Sequence, residues 1–453
     1  MRYLLRIVVF LCVCAVFVGG FGVLGYTRTM QHEMSVYDKP VPSLQGVETP
    51  EYDPHKPTVA VILGNNATEV IDFLVPYEMF SSTGAYNVFA VASDRNVKSL
   101  TGGLDVIPHY SFTEMDELLG KSPDILVIPN IPMMEGKKVH PVRDWILKNS
   151  GNETTLLSIC NGAETLADTG LLNGKSAATH WGDISRLEKK YPEVHWKRDQ
   201  RYVPDGNIVS SAGVTSGIDA VLYVLSQKLG EAATVKTAEE MNYPLYHFVH
   251  HPKMEPFSIE PSDAAYILNF AYHWEKRKAG VMLYNGIEET ALGSVFDTYS
   301  ASGTTKTLTI SSSDRPIVTK HHLNLLARYQ MSNAPKLDKM IVAGTEAKSL
   351  AMEAVNDWNA QGKETRLLFL HSDSPKRFVM EAPLEDLSKQ EDIRTAEFAA
   401  KRLEYRADHL NLEGQSFSLE AFGRPLLIGL LSVLVALYID RRFIRKKKTS
   451  PSM

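Results

Sequence analysis

SICNGAETLADTGLLNGKSAATHW, residues 158–181, is the stretch on which the fold turns. The apolar run TLLSI (155–159) reads as a strand and leads directly into Cys160. A helix is predicted to start at once with Asn161 and Gly162 and to continue to Leu172, with Gly174 near its end as a stop. A side chain at such a strand-to-helix turn projects from the carboxyl edge of a parallel sheet, where open α/β folds bind ligands. It sits beside free backbone N–H groups and the positive end of a helix dipole. Both favour thiolate over thiol, so the expected pKa of Cys160 falls below the usual value of about 8.5. The same N–H groups could hold an oxyanion.

On either side the pattern alternates strand and helix. TVAVIL (58–63), NVFAVA (87–92), DILVIP (124–129) and NIVSS (207–211) read as strands. Helical spacing covers 69–82, 142–150 and 216–229. Continuous apolar runs are what strands buried on both faces require, and helices between them imply a doubly wound parallel sheet. A connecting helix near 262–278 leads to a second α/β run. AGVMLYNG (279–286), KTLTIS (306–311), KMIVAG (339–344) and RLLFLH (366–371) are its strands, with helices at 288–301 and 346–361. AVILGNNATEVIDFLVPYEMFSSTG and GVMLYNGIEETALGSVFDTYSASG share strand, turn, helix and closing glycine, as a degenerate internal repeat would. Leu292 or a neighbour then stands where the first copy has Asp72, and no cysteine follows the matching strand.

SICNGAETLADTGLLNGKSAATHW followed by RYVPDGNIVSSAGVTSGIDAVL resembles the DJ-1/PfpI superfamily over about residues 57–245. The branch it looks most like holds isonitrile hydratases and the amidase-like domains of AraC-type regulators. The resemblance implies a flavodoxin-like α/β sandwich with a nucleophile elbow at Cys160. It also implies an acidic residue four before a proline in the first strand-helix turn, here Asp72 before Pro76, whose carboxyl group would approach the Cys160 sulfur as hydrogen-bond partner or acid/base. His180, in the THW motif, resembles a histidine found near the nucleophile in many relatives; read alone, it serves equally as a packed structural residue. Asn161 stands where PfpI-type proteases have histidine and isonitrile hydratases threonine. A Cys-His peptidase dyad is therefore unsupported, and isonitrile hydration is not implied by that position.

The ends differ from the middle. Residues 7–26, IVVFLCVCAVFVGGFGVLGY, carry no charge and follow Arg2 and Arg6. As a helix this run spans about 30 Å, the thickness of a bilayer core. A second apolar segment, taken as 421–440, precedes Arg441, Arg442, Arg445, Lys446, Lys447 and Lys448. Basic flanks on both outer ends place both termini in the cytoplasm under the positive-inside rule and the domains between them on the far side. The expected division is an anchor at 1–26, a linker at 27–56, a DJ-1/PfpI-like domain at 57–250, a connecting helix at 251–278, a degenerate α/β lobe at 279–415, a second span at 421–440 and a basic tail at 441–453.

The chain of 453 residues carries a net charge of −5. Setting aside Arg2, Arg6, the six C-terminal basic residues and Asp440 leaves 40 basic against 52 acidic residues, or −12. That argues against nucleic acid as a partner. Of three cysteines, Cys12 and Cys14 fall in the first apolar segment, so Cys160 has no partner for a disulfide within the exported part. No P-loop or G-x-G-x-x-G after a strand calls for a nucleotide, and His247, His250 and His251 lack the spacing of a metal site, so neither cofactor nor metal is expected. Two functions fit. One is a membrane-anchored hydrolase- or hydratase-like enzyme using Cys160 on a small electrophilic substrate. The other is an extracytoplasmic ligand or redox sensor of the same fold. For either function, the resemblance to the superfamily, whose members often dimerise, implies a homodimer.

Overall fold

The computed structural model describes residues 2–41, 46–132, 136–363 and 365–444. Arg445, Lys446, Lys447 and Lys448 of the basic cluster lie outside them. The chain starts with an apolar helix made of α1 (Arg2–Cys14), a π-helical turn (Ala15–Gly19) and α2 (Gly20–Glu33). It is longer than the apolar run and continues seven residues into the segment read as linker, to Glu33.

The first lobe follows. Its strands are β1 (Thr58–Ile62), β2 (Asn87–Ala92), β3 (Lys98–Leu100), β4 (Leu104–Ile107), β5 (Tyr110–Ser111), β6 (Ile125–Ile128) and β7 (Thr155–Ser158), then a short pair, β8 (Ser176–Ala177) with β9 (His195–Trp196), and finally β10 (Tyr202–Asp205) and β11 (Ile208–Ser211). The helices are α3 (Val70–Ser82), α4 (Phe112–Leu119), α5 (His140–Lys148), α6 (Gly162–Thr169), α7 (Ile184–Lys190), α8 (Val214–Leu229) and α9 (Glu231–Glu240). The seven-stranded sheet has the order β10-β11-β7-β6-β1-β2-β5. Every residue of β1, β2 and β6 is buried, because helices cover both faces. This is the flavodoxin-like arrangement, with one difference from a purely parallel sheet. The edge strand β10 returns antiparallel to β11 through Gly206, whose φ of +67° suits a tight turn.

Helix α10 (Ala264–Tyr272) leads to the second lobe. Its strands are β12 (Arg277–Met282), β13 (Thr305–Ser311), β14 (Ile317–Val318), β15 (Asn324–Leu326), β16 (Tyr329–Gln330), β17 (Lys339–Ile341) and β18 (Arg366–Leu368). Its helices are α11 (Glu289–Val295), α12 (Ala347–Leu350), α13 (Met352–Ala360), α14 (Glu381–Gln390) and α15 (Ile393–Arg402). The sheet order β16-β13-β12-β17-β18 reproduces β5-β2-β1-β6-β7 of the first lobe strand for strand, all parallel. The hairpin β14–β15 likewise answers β3–β4. The two hairpins meet through β15 and β4, antiparallel, in one four-stranded sheet ordered β14-β15-β4-β3. Helices α3 and α11 pack on each other, and a Cβ at Gly293 would come within 3.3 Å of Ile71. The lobes are thus joined about a quasi-two-fold axis.

Helix α16 (Leu419–Ile439) closes the chain. The helical stretches Arg6–Glu33 and Leu419–Ile444 are both long and apolar enough to cross a membrane. They lie side by side: Arg6 makes a two-pronged ion pair with Asp440, at 2.7 and 3.0 Å, and the Tyr272 hydroxyl of α10 donates to the Val18 carbonyl at 2.9 Å.

Candidate functional site

The elbow lies where β7 meets α6. Cys160 has φ +55°, a left-handed conformation that an L-residue with a side chain adopts only under constraint. Gly162, two residues on, sits against the neighbouring strand. A Cβ there would lie 2.0 Å from the Ile128 carbonyl oxygen, so only glycine lets α6 approach β6 this closely. The Cys160 side chain is 6% exposed and lines a cavity of about 610 Å³ together with Glu69, Asn161, His180, Tyr266 and Arg402.

Asp72 stands in the first turn of α3. Its Oδ2 accepts the Asn130 N–H at 3.2 Å, while Oδ1 is buried and has no hydrogen-bond partner among the described residues, the Cys160 sulfur included. Burial, with the nearby Asp297 carboxylate adding to it, pushes its pKa up to about 8. Glu69 caps the same helix, accepting the Ile71 and Asp72 N–H groups at 3.0 and 2.7 Å. It too is raised, by burial first and then by Asp297 and Asp72.

The expectation of a thiolate at rest is overturned. Burial raises the Cys160 pKa, and the carboxyl groups of Asp72, Glu69 and Glu404 push it further. The Asn161 N–H acts in the opposite direction and does not prevail. A helix N-terminus lowers a thiol pKa where water or cations share the site; here desolvation and negative charge outweigh it.

The other two residues singled out hold the surroundings together. Asn161 Nδ2 donates to Asp183 at 2.6 Å, and its Oδ1 accepts from Thr179 at 2.9 Å. Thr179 also reaches the Cys160 carbonyl, at 3.3 Å, so Asn161 and Thr179 brace the elbow. His180 Nδ1 accepts the Gly182 N–H at 3.2 Å, which leaves Nε2 to donate to the Arg402 carbonyl at 3.2 Å. It lines the cavity while anchoring the chain that closes it.

That closing chain was not legible in the sequence. Residues 401–406, at and after the end of α15, cross from the second lobe onto the first. The Thr215 N–H donates to the Leu403 carbonyl at 3.0 Å, the Thr215 hydroxyl to the Glu404 carbonyl at 2.9 Å, and Ser216 to the Glu404 carboxylate. Glu404 is 1% exposed and has φ +54°. Gly213 leaves it room, since a Cβ there would lie 2.6 Å from its Cδ. Arg402 donates to the Asp297 carbonyl at 2.8 Å and to its carboxylate, and its charge opposes those of Asp297 and Glu69. Met34, just past α2, also lines the cavity, and Ser300 donates to the Glu33 carboxylate.

Residues 57–227 match the model of the DJ-1/PfpI family. The isonitrile hydratase of Pseudomonas putida is 28% identical over 166 residues, covering 35% of this chain and 67% of its own. An uncharacterized protein in the cpoL 5' region of Streptomyces lividans is 30% identical over 145 residues, 31% of this chain and 96% of its own. The HTH-type transcriptional regulator CdhR of Pseudomonas aeruginosa is 33% identical over 96 residues, 21% of this chain, and the match spans 28% of the regulator. Among solved structures, a DJ-1 superfamily protein from Salmonella typhimurium aligns over 42% of this chain and 99% of its own, with 22% identity and a TM-score of 0.37.

Proposed function

From a chain that belongs to the DJ-1/PfpI family through residues 57–227, we propose a membrane-anchored protein whose Cys160 acts on a small electrophilic molecule in hydrolase- or hydratase-like chemistry. The observation that carries this reading is Cys160 held at positive φ on the wall of a cavity large enough for a small molecule. The likeness to an isonitrile hydratase agrees with it.

In this mechanism the Cys160 sulfur attacks the electrophilic carbon and an S–C bond forms. Once an occupant brings the sulfur within reach of Asp72, whose Oδ1 has no hydrogen-bond partner at rest among the described residues, Asp72 takes the thiol proton and returns it to the atom that gathers negative charge. Water then attacks the same carbon, the S–C bond breaks, and the thiol is restored. A carboxyl group with a pKa of about 8 populates both protonation states near neutral pH, which suits a group that must take and return a proton. The Asn161 N–H favours the transient thiolate. Arg402 offsets the surrounding carboxylates.

The two apolar helices would hold this domain on the far side of a membrane with both termini in the cytoplasm. The Arg6–Asp440 pair at their outer ends supports an antiparallel hairpin with both ends on one side. A second reading, a ligand sensor, is favoured by Met34. The first apolar helix runs into the cavity wall, so an occupant would touch the membrane anchor directly.

The test uses the full chain in detergent with a panel of isonitriles, amides and reactive carbonyl compounds. Turnover by the native chain and none by a folded Cys160→Ser variant is the expected result. Equal rates for the two would sink the nucleophile. Saturable binding without turnover would select the sensor.

A further inference from the structure

We propose that Glu78, Glu289 and His321 form a divalent-cation site that bridges the two lobes. One ligand atom from each lies within 4.8 Å of the others, close enough to share a single ion. Glu78 comes from α3 of the first lobe, whereas Glu289 opens α11 and His321 lies between β14 and β15 of the second.

The quasi-two-fold axis explains why acids meet here. In the repeat, Glu289 holds the place of Glu69. Glu69 faces Asp297 from the opposite lobe, and Glu289 faces Glu78 from the opposite lobe. The cysteine chemistry has no counterpart on this side. Leu292 stands in the place of Asp72. His371, which follows β18 as Cys160 follows β7, is 3% exposed and engaged by the Gly344 N–H and the Val379 carbonyl. What this side has instead is two carboxylates and an imidazole.

The ligands are already positioned. Glu289 is fully buried. Its Oε1 accepts the His321 N–H at 2.9 Å and the Thr319 hydroxyl, and its Oε2 meets His321 Nδ1 at 2.8 Å. Glu78 Oε2 accepts the Thr290 N–H at 2.6 Å. Unused capacity remains beside these contacts. Glu78 Oε1 and His321 Nε2 have no protein partner among the described residues, and the Thr290 hydroxyl, 2% exposed, has none either. Lys320 makes its direct ion pairs with Glu288 at 3.2 Å and Glu346 at 3.7 Å rather than with Glu78 or Glu289. Two carboxylates and one imidazole offer a cation three ligand atoms within reach of one another. The His321 side chain, 16% exposed, leaves a way in from solvent.

Two carboxylate oxygens and one imidazole nitrogen suit zinc or manganese, with water completing the shell; calcium would call for six or more oxygens. Binding would displace the proton shared by His321 and Glu289. Because the ligands come from both lobes, the ion would act as a staple across the α3–α11 contact.

The experiment is calorimetric titration of the chelator-treated full chain in detergent with zinc chloride and, separately, manganese chloride. One equivalent of either ion should bind and raise the melting temperature. Glu78→Gln and His321→Ala should each weaken binding by about 10–100-fold. Both alter partly exposed side chains, and their metal-free melting curves show whether they fold. His250→Ala, at an exposed histidine elsewhere, should bind as the native chain does. Failure of the native chain to bind either ion, or equal binding by the folded Glu78→Gln and His321→Ala variants, overturns the site.

Discussion

The Asp72 carboxylate makes no hydrogen bond to Cys160 among the described residues, but its charge opposes the thiolate. Asp72 is largely protonated at neutral pH and ionises near pH 8, below the pH at which the raised thiol of Cys160 does. The thiol therefore loses its proton beside a carboxylate that is already charged. Alkylation by iodoacetamide should be slow at neutral pH and should accelerate only above the usual thiol range of about 8.5. Asp72→Asn removes one of the opposing charges, so the midpoint of the rate–pH curve should move down. Rates measured across pH check both; a midpoint below that range in the native chain would contradict the burial of the sulfur. The position of Cys160 was readable because strand, cysteine and glycine are consecutive. Its proton affinity was not, since Glu69 and Glu404 are brought to it by folding from 91 residues before and 244 after.

The segment 401–406 at the end of α15 shows what periodicity leaves out. Nothing local in KRLEYR (401–406) marks Arg402 as the counter-charge of a buried acid cluster. Strands such as β1 and β2 were legible because their apolar runs report burial directly. The hairpins β3–β4 and β14–β15 were not, being two to four residues per strand. Arg402→Ala would leave the buried Asp297 and Glu69 without their counter-charge. A loss of about 3 kcal/mol in unfolding free energy is expected, and denaturant titration measures it. Arg402→Ala combined with Asp297→Asn should recover part of that loss, because the neutral amide no longer needs a counter-charge.

Taken together, the two apolar helices and the two lobes make one body. Helix α10 packs against both α2 and α16, and Arg424 donates to the Tyr272 carbonyl at 2.9 Å. With both ends of the helical hairpin on one face, alkaline phosphatase fused after residue 453 should stay inactive, and the same enzyme inserted at the exposed Gly151 should be active. A colony assay of the two fusions reads the topology; active enzyme at the C-terminus would reverse it. The repeat was visible in the sequence as two matching strand–turn–helix runs. The meeting of its halves through β4 and β15 was not, because antiparallel pairing of short strands leaves no local signature.

The quasi-two-fold joint has an evolutionary consequence. When two identical subunits form such a joint, every substitution appears on both sides of the axis, so a residue must suit both. Covalent linkage lifts that restriction and lets each half drift separately, as Cys160 opposite His371 and Asp72 opposite Leu292 illustrate. It also keeps the halves at a high effective concentration whatever the expression level. One half can then do without a cysteine at the elbow without losing its partner, and can serve as a dedicated wall for the other's cavity.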